Sequence, residues 1–457
     1  MTSPGLFDAV LARGTAREAV SDAAWLQALL DTEAALAGAT ADVGALSAET
    51  AGRIAAACRP ERVDAAAIGA DAASSGNPVV PLVAQLRLAL RGDGAPGAAD
   101  AVHRGATSQD VVDTAAMLVT ARAVTGIVTD LRAAADAAVR LAGAHRERSA
   151  AGRTLLQQAA PVTVGLRAAG WASGLDAAAH ALTGLRPAVQ LGGAVGTLAA
   201  FSGEGRAVRG ALARRLGLDE PVLPWHTERG RVAEIAGALG RAGASIGSVS
   251  TDLVLLAQTE VGEVREDVPG RGGSSTLGHK RNPVAAVCAR AAAIAVPGLV
   301  ASLLAAAGGH EYERAAGAWH AEWRPHSELL RTVGSGAAWL ADSLGHLVVD
   351  PDRTAAALGV TGGLLLAENV TTALRAHLGH ERAKTLVTEA ASRAQDAARP
   401  FAEVLAEALG TEGVDVARGE IDAMLDPRTH VGDAAALVDD FLAARTPAGP
   451  PRGKEPS

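Results

Sequence analysis

Residues 272–283 read GGSSTLGHKRNP, and they bring two serines, a lysine, an arginine and an asparagine into one short segment. Three glycines so close together cannot continue a helix, so the segment is predicted to be a loop. Backbone amides freed by such a loop, with Lys280 and Arg281 beside them, suit a carboxylate or another oxyanion. The spacing, and the residue after Lys280, exclude a phosphate loop of the GxxxxGK[ST] type. Lys280 is one of only three lysines, with Lys384 and Lys454, in a chain that otherwise writes its cations as arginine. A lysine retained there offers a point charge rather than a planar fork. Residues 103–114, HRGATSQDVVDT, carry a second signal. Thr107 and Asp110 read as a capping box opening a helix, and the free amides at a helix N-terminus favour an anion. His103, just ahead, is a candidate proton carrier, although a lone histidine is more often a hydrogen-bonded structural residue. In SSGNPVVPLV (74–83), Ser75 and Asn77 are within reach of a carboxylate, or simply form an Asn-Pro turn. His310, Glu311 and His320 in HEYERAAGAWHAEW (310–323) lack the HExxH spacing, so no metal is expected. LGGAVGT (191–197) is a glycine turn without a βαβ context, so no dinucleotide is expected, and no cofactor is predicted.

The whole string at 272–283 resembles the GSSxMPxKxNP element of the fumarase/aspartase superfamily. That superfamily includes adenylosuccinate lyase, argininosuccinate lyase and 3-carboxy-cis,cis-muconate cycloisomerase. Leu277 stands where Met is usual and Gly278 where Pro is usual; the second departure should loosen the loop. The resemblance implies that Ser274 is the general base, acting as an alkoxide. Lys280 and Asn282 would hold the substrate carboxylate and stabilise the aci-carboxylate formed when the α-proton leaves. A serine hydroxyl is a weak base at its free pKa, so Lys280 and loop amides would have to lower it. Residues 107–110 are similar to the family's TSxD element, which makes Thr107, Ser108 and Gln109 candidate carboxylate ligands. Residues 310–323 resemble the cycloisomerase version of a family segment, with Arg314 as an anion ligand. QTEVGEV (258–264) is similar to the helix end before the serine loop, with Gln258 pointing inward and Glu260 and Glu263 structural.

GRTLLQQAAPVTVG (152–165) sharpens the expectation. Adenylosuccinate and argininosuccinate lyases have GRTHxQ here, and the histidine moves a proton to the leaving group. Leu155 cannot do so, while Thr154 and Gln157 remain substrate ligands. Amine and alkoxide leaving groups need protonation, whereas a carboxylate departs unaided. Cycloisomerisation of a carboxymuconate, written backwards, expels a carboxylate. Leu155 therefore favours a cycloisomerase that converts 3-carboxy-cis,cis-muconate to 4-carboxymuconolactone. The alternatives are a lyase that expels another weakly basic group from a substituted succinate, such as nitrite from nitrosuccinate, or an adenylosuccinate-lyase-like activity. A catalytically inactive structural relative is a third class. Arg104, where an aromatic often follows the histidine, and Gly278 keep the lyase reading open. Leu155→His is expected to place an unsatisfied imidazole in an apolar spot.

The elements that must position these groups are long helices. No proline lies between Pro96 and Pro161 or between Pro224 and Pro269. In the first gap Val111, Val112, Leu118, Val119, Val124, Ile127, Val128 and Leu131 recur at helical spacing. A helix of about 40 residues would run about 60 Å. Residues 225–267 show the same character, and an amphipathic helix is predicted over about 21–43. Strand patterns are nearly absent. The expected fold is therefore all-α: a helical domain over 1–105, a central long-helix bundle over 106–345, a second helical domain over 346–445 after the Asp350-Pro351 break, and a disordered tail over 446–457.

Composition agrees with that picture. The chain has 457 residues, 49% of them apolar and 2% aromatic, so its core must be alanine, leucine and valine. The net charge of −8 has no basic stripe, which argues against nucleic acid as a partner. Cys58 and Cys288 make no disulfide framework, in keeping with a cytoplasmic location. No signal peptide is read at the N-terminus, and no window of about 18 uncharged apolar residues is expected, so no membrane span. The resemblance implies a small polycarboxylate substrate and a homotetramer whose active sites are each lined by three chains. Long amphipathic helices, which need partners to bury their stripes, support the assembly in part.

Overall fold

The structure is a computed structural model, and it describes residues 5–445. The expected disordered tail at 446–457 lies outside the described residues. The fold is all-α. Among its helices are α1 (Asp22–Asp42), α2 (Val79–Gly92), α3 (Ser108–Ala144), α4 (Val164–Thr183), α5 (Gly230–Leu256), α6 (Val284–Ala307) and α7 (Ala318–Gly345). The helix expected over 21–43 is α1: Ser21 Oγ accepts a hydrogen bond from Ala24 N at one end, and Val43 closes the other. The periodic run after Pro96 becomes α3, 37 residues long. The run expected over 225–267 yields a shorter helix, α5.

The chain forms two compact units. One comprises residues 1–132, 177–248 and 288–340; the other comprises 133–176, 249–287 and 341–457. In the first unit, α5, α6 and α7 approach closely because glycines line their contacts. A Cβ at Gly243 would lie 2.7 Å from Val296, one at Gly247 3.1 Å from Ala293, and one at Gly336 3.2 Å from Ala292. Small residues at such crossings bring the helices close, so that a chain poor in aromatics needs less side-chain volume to fill the space between them. The second unit has its own core, in which Val370, Leu374, Leu386, Phe401 and Leu405 pack together. The Asp350-Pro351 break is a helix start: Asp350 accepts from the amides of Asp352 and Arg353, and Pro351 occupies the first turn of Pro351–Gly359.

Two expectations need correction. Strands exist: β1 (Ser149–Thr154) pairs antiparallel with β2 (Gln157–Thr163), and β3 (Val264–Glu266) pairs antiparallel with β4 (Leu347–Val349). The β1–β2 turn is Leu155-Leu156, both with positive φ of 53° and 64°. That pair carries none of the Asn-Gly or Gly-Gly chemistry by which a two-residue hairpin is read from sequence. The second correction concerns hydropathy. Residues 291–309 contain no charged residue, and α3 and α6 are both long and apolar enough, by length and composition, to cross a membrane. In α3, 67% of the most apolar window is buried within the chain; in α6 the share is 33%.

Candidate active site

In the first unit the site is built around the start of α3. Asp110, expected as half of a capping box, accepts from Thr107 N at 3.0 Å, but its carboxylate does more than cap. It is 1% exposed. It also accepts from Gly192 N and Gly193 N, each at 2.9 Å, and faces His226 Nε2 at 2.7 Å. The glycines of LGGAVGT thus have a purpose that differs from nucleotide binding. A Cβ at Gly192 would lie 2.7 Å from the His226 ring, so only glycine lets the backbone reach Asp110. The same turn holds Arg314: its guanidinium donates from Nε to Ala194 O at 3.0 Å and from Nη2 to Gly193 O at 3.1 Å. Both partners are neutral carbonyls. The cation is oriented without being neutralised and remains available to an anion.

Thr107 and Ser108 stand partly exposed at the α3 N-terminus, Ser108 being its first residue. Their amides and hydroxyls form the anion-favouring end expected from the sequence. Gln109 is placed differently. It is buried, and its side-chain nitrogen donates to His226 O at 2.7 Å and to Asp113 Oδ2 at 3.2 Å. Its amide nitrogen is committed inside the protein, which suits a brace better than a carboxylate ligand. His103 has a left-handed backbone, φ 62°, and its Nδ1 lies 2.7 Å from Glu33 Oε1. Burial works against its imidazolium, but the Glu33 carboxylate outweighs this and raises the His103 pKa above the ordinary histidine value. Ser75 and Asn77 bond to one another in a turn. Ser75 Oγ donates to Asn77 O, Asn77 Nδ2 to Ser75 O, and Asn77 Oδ1 accepts from Val79 N to start α2. The turn touches the HEYERAAGAWHAEW segment through His320 Nε2, 3.0 Å from Gly76 O.

Beneath this lies a buried ionic cluster that the sequence did not announce. Arg229 donates to both oxygens of Asp113, at 2.8 and 3.1 Å, and to both oxygens of Glu322, at 3.1 and 2.5 Å. Trp319 Nε1 adds a bond to Asp113 Oδ1 at 3.0 Å, and His310 Nε2 lies 3.0 Å from Glu322 Oε1. Burial opposes the Arg229 charge, yet the two carboxylates outweigh it and raise its pKa. His310 thus belongs to this cluster.

In the second unit the segment at 272–283 is a loop, as predicted. Gly272 has φ 77°, and a Cβ there would lie 2.2 Å from Asn282 O. Asn282 closes the loop: its backbone N and its Nδ2 both donate to Gly272 O, at 2.8 and 2.9 Å. Ser274 Oγ accepts from Thr276 N at 3.3 Å and Leu277 N at 3.1 Å. Amides that donate to this oxygen favour its alkoxide. Lys280 is exposed in the same loop. A side chain at Gly278 would meet nothing within 4 Å. The hairpin carries Thr154 and Gln157 as the exposed pair flanking its turn. Leu155 is 96% exposed. The expected apolar surrounding is therefore absent in the chain, because a two-residue turn projects its side chains outward. Gln258 is also exposed rather than inward, with Nε2 on Leu255 O. Glu263 is buried and paired with Arg153 at 2.5 Å and Arg167 at 3.5 Å.

The chain matches a family model described as lyase over residues 7–298, and one described as adenylosuccinate lyase C-terminus over residues 363–441. It is 42% identical to a 3-carboxy-cis,cis-muconate cycloisomerase of Pseudomonas aeruginosa, with 96% of each chain covered. It is 41% identical to a nitrosuccinate lyase of Streptomyces davaonensis, over 98% of this chain and 96% of that one. Among solved structures, the 3-carboxy-cis,cis-muconate lactonizing enzyme of Pseudomonas putida superposes with a TM-score of 0.89 at 38% identity. That match covers 96% of this chain and 98% of the other. The chain belongs to the fumarase/aspartase superfamily. It is an enzyme of that superfamily. What sequence reasoning missed in this superfamily member is the support: Glu33, Asp113, His226, Arg229 and Glu322. Only the spacing of Asp110 and Asp113 on one helical face, and of His226 and Arg229, hinted at paired partners.

Proposed function

We propose that this enzyme is a 3-carboxy-cis,cis-muconate cycloisomerase. In the lactonising direction a substrate carboxylate oxygen adds to the carbon β to another carboxylate, and the electron pair is held as an aci-carboxylate. Ser274 gives its proton to the α carbon; in reverse its alkoxide removes that proton. The two loop amides on Ser274 Oγ support this role, since they favour the oxyanion. Thr107, Ser108, Lys280, Arg314 and Gln157, with Ser75 and Asn77 at the margin, are the groups for a small polycarboxylate. Asn282 acts by holding the loop closed, and Gln109 by bracing the start of α3. His103, the other catalytic candidate, acts as a donor to a substrate carboxylate rather than as an acid for the leaving group, which needs none.

The observation that carries the reading is Leu155, exposed at a hairpin turn and unable to protonate a leaving group. A carboxylate, the group expelled in the delactonising direction, needs no such proton. Nitrite needs none either, and the nitrosuccinate lyase relative makes nitrosuccinate elimination the second reading. Offering carboxymuconate, its lactone, nitrosuccinate, adenylosuccinate, argininosuccinate and malate separately tests both. Loss of diene absorbance with carboxymuconate is expected. Release of nitrite alone would select the second reading, and efficient cleavage of adenylosuccinate or argininosuccinate would overturn the leaving-group argument.

The working form is a cytoplasmic homotetramer whose active sites take residues from three chains. The outward face of α6 supports an assembly: Ile294 is 71% exposed, with Val287 and Leu304 at 48% each.

A further inference from the structure

Glu33 lies on α1, 1% exposed, with its side chain fully buried. Its Oε1 is 2.7 Å from His103 Nδ1, and its Oε2 has no hydrogen-bond partner. A buried carboxylate with a single hydrogen bond is costly unless that partner is a cation or shares its proton. His103 for its part retains 17% side-chain exposure and takes no second ring hydrogen bond among the described residues. Its φ of 62° lies in the left-handed region, which few residues with a side chain adopt. The groups facing the ring come from three helices: Glu33 on α1, Asp110 on α3 and Arg87 on α2.

We propose that Glu33 is a positioning residue: it accepts the Nδ1 proton of His103, fixes the ring, and leaves Nε2 as the one ring nitrogen open to a substrate carboxylate. This deepens the proposed function and rests on it for the substrate. Glu33 and Asp110 favour the imidazolium, while burial and Arg87 oppose it. A protonated Nε2–H is then a cationic donor below the His103 pKa, and it is lost as pH rises past it.

The test follows His103 by imidazole NMR in the wild type, Glu33→Gln and Glu33→Asp, each assembled as isolated. Alongside it, kcat/KM for carboxymuconate is measured against pH. In the wild type His103 should titrate above the ordinary histidine value of about 6.5 and keep its proton on Nδ1 when neutral. Glu33→Gln should move the titration and the basic limb of kcat/KM down together, by about one pH unit or more, with about a ten-fold loss on that limb. The loss should appear mainly in KM rather than kcat. Glu33→Asp should shift both less. An unchanged His103 midpoint in Glu33→Gln overturns the proposal. So does a moved midpoint with an unmoved limb, since Glu33 would then be merely structural. If Glu33→Gln does not assemble, Glu33→Asp decides by the same criteria. Should carboxymuconate not be turned over, the proposed function fails separately. Affinity for tricarballylate, an inert tricarboxylate, measured against pH then replaces kcat/KM; an affinity with the same pH dependence in wild type and variant overturns the positioning role.

Discussion

At the scale of single residues, the chemistry concentrates in Ser274 and the charges that would receive a carboxylate. Removing its hydroxyl in Ser274→Ala should lower turnover by about 10² to 10⁴, the usual worth of general acid–base catalysis. Substrate binding and fold should be kept, because Oγ is an acceptor for two local amides and braces nothing beyond its loop. Steady-state kinetics with a calorimetric binding measurement checks this; near-normal turnover would remove Ser274 from the mechanism. Leu155→His makes a different point. With 96% of Leu155 exposed in the chain, an imidazole there meets water rather than apolar packing. The unfolding midpoint should therefore stay within about 0.5 kcal/mol of wild type, as for surface changes generally, and carboxymuconate turnover should not rise. A large loss of stability would show that assembly buries the hairpin tip.

At the scale of elements, the buried cluster ties the start of α3 to α7 through Arg229. Its charges are satisfied only together. Asp113→Ala leaves Arg229 with one carboxylate and deprives Trp319 Nε1 of its acceptor. A loss of about 3–5 kcal/mol is expected, as for breaking one member of a buried pair, and denaturant unfolding measures it. His326 on α7 makes a prediction about pH. It is fully buried beside Thr120, and burial first, then Arg229, pushes its pKa down to about 4. The unfolded chain therefore binds this proton more readily than the folded one. The stabilising effect is complete above the unfolded value of about 6.5 and is lost as pH falls toward about 4. Its ceiling is about 3 kcal/mol. Stability should decline between pH 6.5 and 4.5, and less steeply in His326→Gln. Identical slopes in the two proteins would contradict the assignment.

At the scale of the whole molecule, the proposed assembly has a direct test. If three chains line each site, Ser274→Ala and a Thr107/Ser108 double alanine should each be nearly inactive. They should partly rescue one another when unfolded and refolded together, because random mixing rebuilds some sites without a mutated residue. Activity recovered from mixed tetramers, absent from either variant refolded alone, is the expected result. No recovery from demonstrably mixed tetramers would mean that both segments act from one chain.

The sequence by itself determined the helical class, the long helix after Thr107, the capped helix after Ser21 and the loop at 272–283. Each rests on local rules: apolar spacing, capping chemistry and clustered glycine. It also carried the family, because the GGSSTLGHKRNP string and the Thr107–Asp110 segment are contiguous and specific. Tertiary structure alone decided the partners of buried charges. Glu33 and His103, Asp110 and His226, or Arg229 and Glu322 lie far apart in the chain, and no local spacing says which carboxylate meets which cation. It also decided the fate of Gln109 and Leu155. Whether a glutamine faces a ligand or a neighbouring backbone carbonyl depends on what the fold brings opposite it. Leu155 sits in a turn whose left-handed residues violate the usual preferences, so only the strand pairing around it could reveal a hairpin.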